Sequence, residues 1–497
     1  MSTPLKRANE FVKKNIYKVN NQYRHTYHAM SQLNWSNDPN GLIWFNDKFH
    51  LFYQHNPYEA NWGPMHWGHS TTKDFVKWKN EPIALAPDSP YDETLGAFSG
   101  TAIEKDGMLY LMYTSVTDHQ QTQSIAYSKD GINFVKESNN PVITTSMNPP
   151  GVSANDIRDP SVFFHNGTYY VFLGTHIDGL GQIVLYKSVD LKKFEYVGPL
   201  MNISNPNERL FFQLRGVFEC PDFCMVDNQQ VLIASPQNLP KDGTQHENIQ
   251  GNIYMLGNLN FETAKWDYHT LREIDSGFDF YAPQTAKLPD GRTIMIAWMQ
   301  MWERTMPTQA HGWAGSYTLP RELSVKNNVL YQTPVREIAN YRHNHVNYEN
   351  ITIHDGTLKN FADIYGNTLE LELMIDVTAA DQVGIELFRG IQNTTKVYFD
   401  KATSTVILDR SQSGIFIAGR ELNNKTRSAL VDIKNNILKL RIFLDVSSVE
   451  VFINDGEQTL TALVYPDPND LGVGFYVNGG EATIISLEKY DIIVSQK

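Results

Sequence analysis

The chain has 497 residues, of which 41% are hydrophobic and 20% charged, with a formal net charge of -13 and two cysteines. At roughly 150 residues per domain this is a chain of about three globular units, and neither disorder nor a coiled coil has this composition. The acidic balance excludes the basic face that nucleic acid or an anionic membrane demands, so neither is expected as a partner.

At the N-terminus, Leu5, Ala8, Phe11, Val12 and Ile16 recur at helical spacing, which predicts a short amphipathic helix within an extension over residues 1–24. No apolar run of the kind a secretory signal or a membrane span requires stands there or elsewhere. Cys220 and Cys224 are too close together to form a disulfide framework, and read as reduced thiols. Together these features predict a soluble cytoplasmic protein.

From residue 40 onward one hairpin pattern returns five times: GLIWF-ND-KFHLFYQ, TAIEK-DG-MLYLMYT, SVFFH-NG-TYYVFLG, DFCMV-DN-QQVLIAS and TAKLP-DG-RTIMIAW. Asn-Gly and Asp-Gly supply the positive φ of tight hairpin turns. The turns begin at Asn46, Asp106, Asn166, Asp227 and Asp290, separated by 60, 60, 61 and 63 residues. A second element, a polar turn before an aromatic residue, follows three of them at Thr72–Trp78, Ser128–Phe134 and Ser188–Phe194. About four strands per unit at near-constant spacing predict an all-β fold, with a five-bladed β-propeller over residues 25–335. Residues 336–350 read as a polar linker. Beyond them Leu369, Leu371, Leu373 and Ile375 alternate with Glu370, Glu372 and Met374, which predicts a β-sandwich over residues 351–497.

If the hairpins are blades, the residues before each inner strand converge at one mouth of the central funnel. They are Asp38, Ser99, Asp159, Glu219 and Tyr281, at separations of 61, 60, 60 and 62. Three carboxyls would then share a pocket with Asn37 and Arg158. Crowded carboxyls of low dielectric push one another's pKa apart, the condition under which one acts as an acid and another as a carboxylate in glycoside hydrolysis. A bound Ca²⁺ or Mg²⁺ is the competing use of such acids; the Pro, Arg and aromatic neighbours suit a sugar better, and neither metal nor cofactor is expected. His66 and His69, with Gly68 between them and no carboxylate at ligand spacing, do not make a zinc site. Gln54, Trp62, Trp67 and Trp313 follow inner strands in loops where they could contact a sugar.

At these residues the sequence resembles the β-fructofuranosidases of glycoside hydrolase family 32, the invertases, levanases and sucrose-6-phosphate hydrolases. The resemblance rests on WSNDPNG, FYQHNP, WGH, FSGT, RDP, ECPDF, FDFYAPQ, HGWAGSYTLPREL and DVSSVEVFINDGE, in this order along nearly the whole chain. It implies a propeller joined to a sandwich and a retaining reaction through a covalent fructosyl-enzyme. It further implies Asp38 as nucleophile, Glu219 as general acid/base and Asp159 as transition-state stabiliser, with Asn37, Gln54, Trp62, Ser99 and Arg158 lining the fructose subsite. The implied substrates are sucrose, sucrose 6-phosphate and short fructooligosaccharides, and Arg304, His311 or a lysine is the candidate cation for a phosphate. An arabinanase-like glycosidase, a fructosyltransferase on the same scaffold and a non-catalytic sugar-binding propeller are the alternatives.

Overall fold

The computed structural model describes residues 3–201, 216–421 and 423–495. The N-terminal helix, Pro4–Asn15, opens on Thr3, whose side chain accepts from the Lys6 N–H, with Pro4 in the first turn. It buries Ala8 and Val12 against Leu33 and Ile83 of the first blade.

Five antiparallel sheets follow. The inner strands of blades I to V are Asn34–Phe45, Gly96–Lys105, Val152–His165, Phe218–Val226 and Tyr281–Lys287. Each continues through a hairpin into a second strand and then outward to a fourth. Neighbouring inner strands touch around the ring, and the first also touches the fifth, so the propeller closes. In four of the hairpins both central residues have positive φ: Asn46 and Asp47, Asp106 and Gly107, Asn166 and Gly167, Asp227 and Asn228. Asn-Asp and Asp-Asn thus make the same turn as Asn-Gly, because their short polar side chains tolerate the left-handed region. The fifth turn differs: only Gly291 is left-handed, and Leu288 bridges to Arg292 instead.

The second repeated element is a local lock. Asp74, Asp130 and Asp190 each accept two backbone N–H groups just downstream and the hydroxyl two residues upstream. Blade V is interrupted between its second strand, Thr293–Trp298, and its third, Arg321–Lys326. The intervening excursion returns to blade I, where Trp313–Ala314 pairs in parallel with Asn34–Trp35. Gly315 makes the approach possible, since a Cβ there would lie 1.9 Å from the Ser36 carbonyl oxygen.

The segment 336–350, expected as a linker, is structured: a 3-10 turn over Arg336–Tyr341 leads into the strand Arg342–His354, which pairs along the final strand. It reads as a linker because most of it lies at a wet edge; Ile338 is buried beside Tyr27, and Val346 and Tyr348 pack against the sandwich core. The sandwich has two layers joined by that final strand, Gly472–Ile492, whose 21 residues run through both, with Gly479 and Gly480 at positive φ between the halves. Leu369, Leu371, Leu373 and Ile375 point into its core as their alternation predicts. Glu370 is also buried, and Arg342 and Arg441 pair with it.

Propeller and sandwich meet across buried charge. Arg321 binds Glu450 at 2.6 Å and Asp275 at 3.1 Å, while His28 lies between Asp445 at 2.7 Å and Glu450 at 2.9 Å. Beside them Phe278 enters the sandwich core with the guanidinium of Arg410 3.7 Å and that of Arg427 4.4 Å from its ring centre. No helix among the described residues is long and apolar enough to cross a membrane.

Candidate active site

Every inner strand carries an irregularity in register near its start: between Ser36 and Pro39, Ala97 and Gly100, Arg158 and Ser161, Glu219 and Asp222, and Tyr281 and Gln284. A bulge turns side chains that would otherwise lie in the sheet toward the axis, and bulges gather beside active sites for that reason. Asp159, Cys220 and Ala282, each preceding a proline, hold φ of 61°, 46° and 50° there. Such backbone is costly for non-glycine residues and persists only where its surroundings impose it.

The bulges bring together residues one blade apart, and the period of the sequence returns as the spacing of hydrogen bonds. Ser99 donates to Asp38 Oδ2 at 2.6 Å, the Cys220 N–H to Asp159 Oδ2 at 3.0 Å, and Arg158 to Glu219 Oε1 at 3.0 and 3.2 Å, each across 61 positions. Tyr281 donates its hydroxyl proton to Glu219 Oε2 at 2.5 Å across 62. Asn37 donates to Asp38 Oδ1 at 3.2 Å, and the Cys220 thiol stands 3.5 Å from Asp38 and 3.6 Å from Asp159.

These groups face a cavity of about 350 Å³. Asn37, Asp38, Gln54, Trp62, Ser99, Arg158, Asp159 and Glu219 line it, so it gathers the three carboxyls with five of the eight expected sugar-contacting residues. Tyr281 is buried one step behind, against Glu219. Trp62 is 43% exposed at the rim, edge-on to Phe98.

Two tryptophans expected in the pocket are elsewhere. Trp67 lies inside a strand of blade I, fully buried against Phe52 and Tyr113, with its indole N–H donating to the Phe98 carbonyl. Trp313 sits beneath Arg24, in the short strand that closes on blade I, donating to the Asn20 carbonyl. Propellers consume aromatic rings between blades, and sequence position alone does not separate packing from binding. The two cations weighed for a phosphate are likewise engaged away from the funnel: Arg304 binds Asp279 and Glu421 with no side-chain exposure, and His311 stacks on Tyr23. His66 and His69 are buried packing residues, the latter bonded to His50. The pocket also holds Phe98, Gln121, Asn155, Asp156 and Trp302, which the sequence did not single out. Phe98 is the first residue of the FSGT motif and Asp156 lies two residues before RDP, whereas Gln121 and Trp302 carry no local signal.

Burial drives the electrostatics. Asp38 is pushed above its ordinary pKa by burial, with the Ser99 hydrogen bond working against this and the Glu219 charge adding to it. Asp159 is pushed up to about 7 by burial, against the pull of Arg158 and reinforced by Glu219 and Asp38. Burial also drives the Cys220 thiol far up, so it stays protonated as a donor.

A stability prediction follows for Asp159. Its proton is held more tightly in the folded state than in the unfolded one, where the carboxyl titrates near 3.8. Stability from this group is therefore full below about pH 4 and is lost as pH rises to about 7. Asp159→Asn, which cannot ionise, should unfold at a higher temperature than the native protein at pH 8, with roughly 4 kcal/mol as the upper bound. Calorimetry at pH 8 and pH 4 checks this: the advantage should shrink toward zero at the lower pH, and a pH-independent difference contradicts it.

Comparisons with known proteins show where the chain belongs. The profile "Glycosyl hydrolases family 32 N-terminal domain" matches residues 28–334, and "Glycosyl hydrolases family 32 C terminal" matches 337–491. The chain is 35% identical to a sucrose-6-phosphate hydrolase of Escherichia coli over 94% of both chains, and 34% identical to an E. coli raffinose invertase over 92% of this chain and 93% of that one. Among solved structures, a Lactobacillus gasseri sucrose-6-phosphate hydrolase superposes with a TM-score of 0.85 at 29% identity, covering 97% of this chain and 96% of the other. A Bombyx mori β-fructofuranosidase superposes at 0.82, also with 29% identity, over 98% and 97%. With both halves of the family pattern matched and the acids of three blades converging on one cavity, the chain belongs to glycosyl hydrolases family 32.

Proposed function

We propose that this protein is a retaining β-fructofuranosidase that releases fructose from the terminal β-D-fructofuranosyl bond of sucrose, sucrose 6-phosphate or short fructooligosaccharides. The observation that carries this reading is the meeting of Asp38, Asp159 and Glu219 in a cavity of about 350 Å³, a size suited to a terminal sugar unit rather than to a long chain in mid-cleavage.

Asp38 attacks the anomeric C2 while Glu219 protonates the departing glycosidic oxygen, and a covalent fructosyl-enzyme forms. Glu219 then takes a proton from water, which releases fructose with retained configuration. Their surroundings support this division. Asp38 receives hydrogen bonds from Ser99, Asn37 and Cys220, which aim its carboxylate and spread its charge. Glu219, with 16% side-chain exposure, has the solvent contact needed to exchange a proton in each half-reaction. Asp159, 4% exposed against 8% for Asp38, holds fructose hydroxyls in this reading, and Arg158, bonded to Glu219, orients it. Trp62 offers an exposed ring to the sugar's face.

Several relatives bear the name sucrose-6-phosphate hydrolase, and a variant of the B. mori enzyme was solved with sucrose. A cytoplasmic setting belongs to the same reading and agrees with two buried, unpaired thiols. Fructose release from sucrose, sucrose 6-phosphate, kestose and inulin, assayed side by side, tests it. We expect the three small sugars to be cleaved with far higher kcat/KM than inulin. Release from none of the four would overturn the assignment.

A further inference from the structure

A fourth carboxylate stands beside the acid/base Glu219, and the mechanism makes no use of it. Asp156 lines the same cavity, with its side chain 37% exposed against 16% for Glu219. One guanidinium joins the two: Arg158 gives its Nε and Nη2 to Glu219 Oε1 and its Nη1 to Asp156 Oδ1 at 3.3 Å. Glu219 has to reach the bridging oxygen of the bond that breaks, so Asp156 borders the space in which the departing sugar sits. This placement rests on the reading of Glu219 as the acid.

The fold holds Asp156 at the mouth without burying it. It lies on the inner strand of blade III, two residues before the bulge that starts at Arg158. Its backbone carbonyl accepts from the Thr175 hydroxyl at 2.5 Å, and His176 Nε2 stands 3.3 Å from its Oδ2. A carboxylate fixed in this way and still wet keeps lone pairs for the hydroxyl groups of a sugar.

Charge at this mouth is one-sided. The described lining carries Asp38, Asp156, Asp159 and Glu219 against Arg158 as its one cation, and no lysine. Arg158 is already held by Glu219 and Asp156, so an anion could take it only by displacing one of them. A phosphate monoester carries close to two negative charges at neutral pH. Placed one sugar ring away from a carboxylate, it is disfavoured by about tenfold even at the dielectric constant of water.

We propose that Asp156 determines specificity on the leaving-group side of the funnel. It accepts hydroxyl groups of an uncharged sugar and disfavours a phosphorylated one, so sucrose and short fructooligosaccharides are preferred over sucrose 6-phosphate. The name sucrose-6-phosphate hydrolase belongs to relatives at 35% identity, a distance at which one residue of the mouth is free to differ.

Initial rates on sucrose and sucrose 6-phosphate test this, with the native enzyme, Asp156→Asn and Asp156→Glu. Asparagine keeps an oxygen for Arg158 and removes the charge. We expect kcat/KM of the native enzyme to be at least tenfold higher for sucrose. That ratio should fall about tenfold in Asp156→Asn, mainly through a lower KM for the phosphorylated sugar, and persist in Asp156→Glu. Added salt should narrow the native ratio more than that of Asp156→Asn, a response that a purely structural role does not produce. A native enzyme that cleaves sucrose 6-phosphate as well as sucrose, or an asparagine variant with the native ratio, overturns the role of Asp156. Cleavage of neither sugar by the native enzyme overturns instead the fructosidase reading on which that role rests.

Discussion

Asp38→Asn should lower kcat on sucrose by on the order of 10⁴-fold or more, about 5 kcal/mol of transition-state stabilisation, while the protein stays folded. The amide keeps the shape of the carboxyl and can still accept from Ser99, whose oxygen lies 2.6 Å away, but it cannot form the bond to C2. Removing a buried acid whose pKa is raised should also leave the fold at least as stable at neutral pH. The informative measurement is therefore a pair: turnover beside a melting curve. Loss of activity together with loss of the folded state would assign Asp38 a structural role, and near-normal turnover would remove it from the mechanism.

Glu219→Gln is expected to act differently, because an acid matters in proportion to how poor the leaving group is. With sucrose the loss should be about 10²–10⁴-fold in kcat. With an aryl β-fructofuranoside, whose phenolate departs without a proton, formation of the fructosyl-enzyme should be largely spared and its hydrolysis should become the slow step. A burst of phenolate followed by slow turnover is the expected trace. Equal loss on both substrates, with no burst, would show that Glu219 does not protonate the leaving group. Arg158 and Tyr281 hold the glutamine in place: its Oε1 can still accept from Arg158, while its amide, standing where Oε2 was, donates to the Tyr281 oxygen, whose own proton turns to the Ser235 carbonyl.

Much of this was legible in the chain. Tight turns leave a chemical mark, Asn and Asp with or without Gly, and five such marks at a spacing of 60–63 residues reveal the blades. The acids were legible because a repeat places equivalent positions at one end of the fold. What the repeat concealed is a difference of one residue. Glu219 was aligned with Asp159, yet in the structure Cys220 occupies the left-handed position of blade IV as Asp159 does in blade III. Glu219 therefore corresponds to Arg158, one residue earlier, and the two meet across the interblade gap as an ion pair. A bulge is a backbone event, and Glu-Cys-Pro does not announce on which side of it the functional group falls.

The aromatic residues were harder. Trp62 and Trp67 lie five positions apart in one motif, but one is at the rim and the other inside a sheet, because Gly63 and Pro64 end the loop and a strand begins at His66. Trp302 reaches the funnel from the excursion in blade V, whose path is set by contacts with blade I and the sandwich. Neither fact is local, so no window of sequence contains it. The polar strand Arg342–His354 was missed for the opposite reason: it buries too little to show an apolar pattern.

The buried charges between the two domains bear on how the protein is made. Residues 26–28 are satisfied by Asp445 and Glu450, more than 400 positions downstream. Until that stretch emerges, the nascent propeller carries the Tyr27 backbone amide without its partner, and Arg321 with Asp275 and Gln332 but without Glu450, so the seam is incompletely paired. The seam between the two domains is therefore complete only once the chain has been made past Glu450, and a chain cut short of that point leaves it open to water.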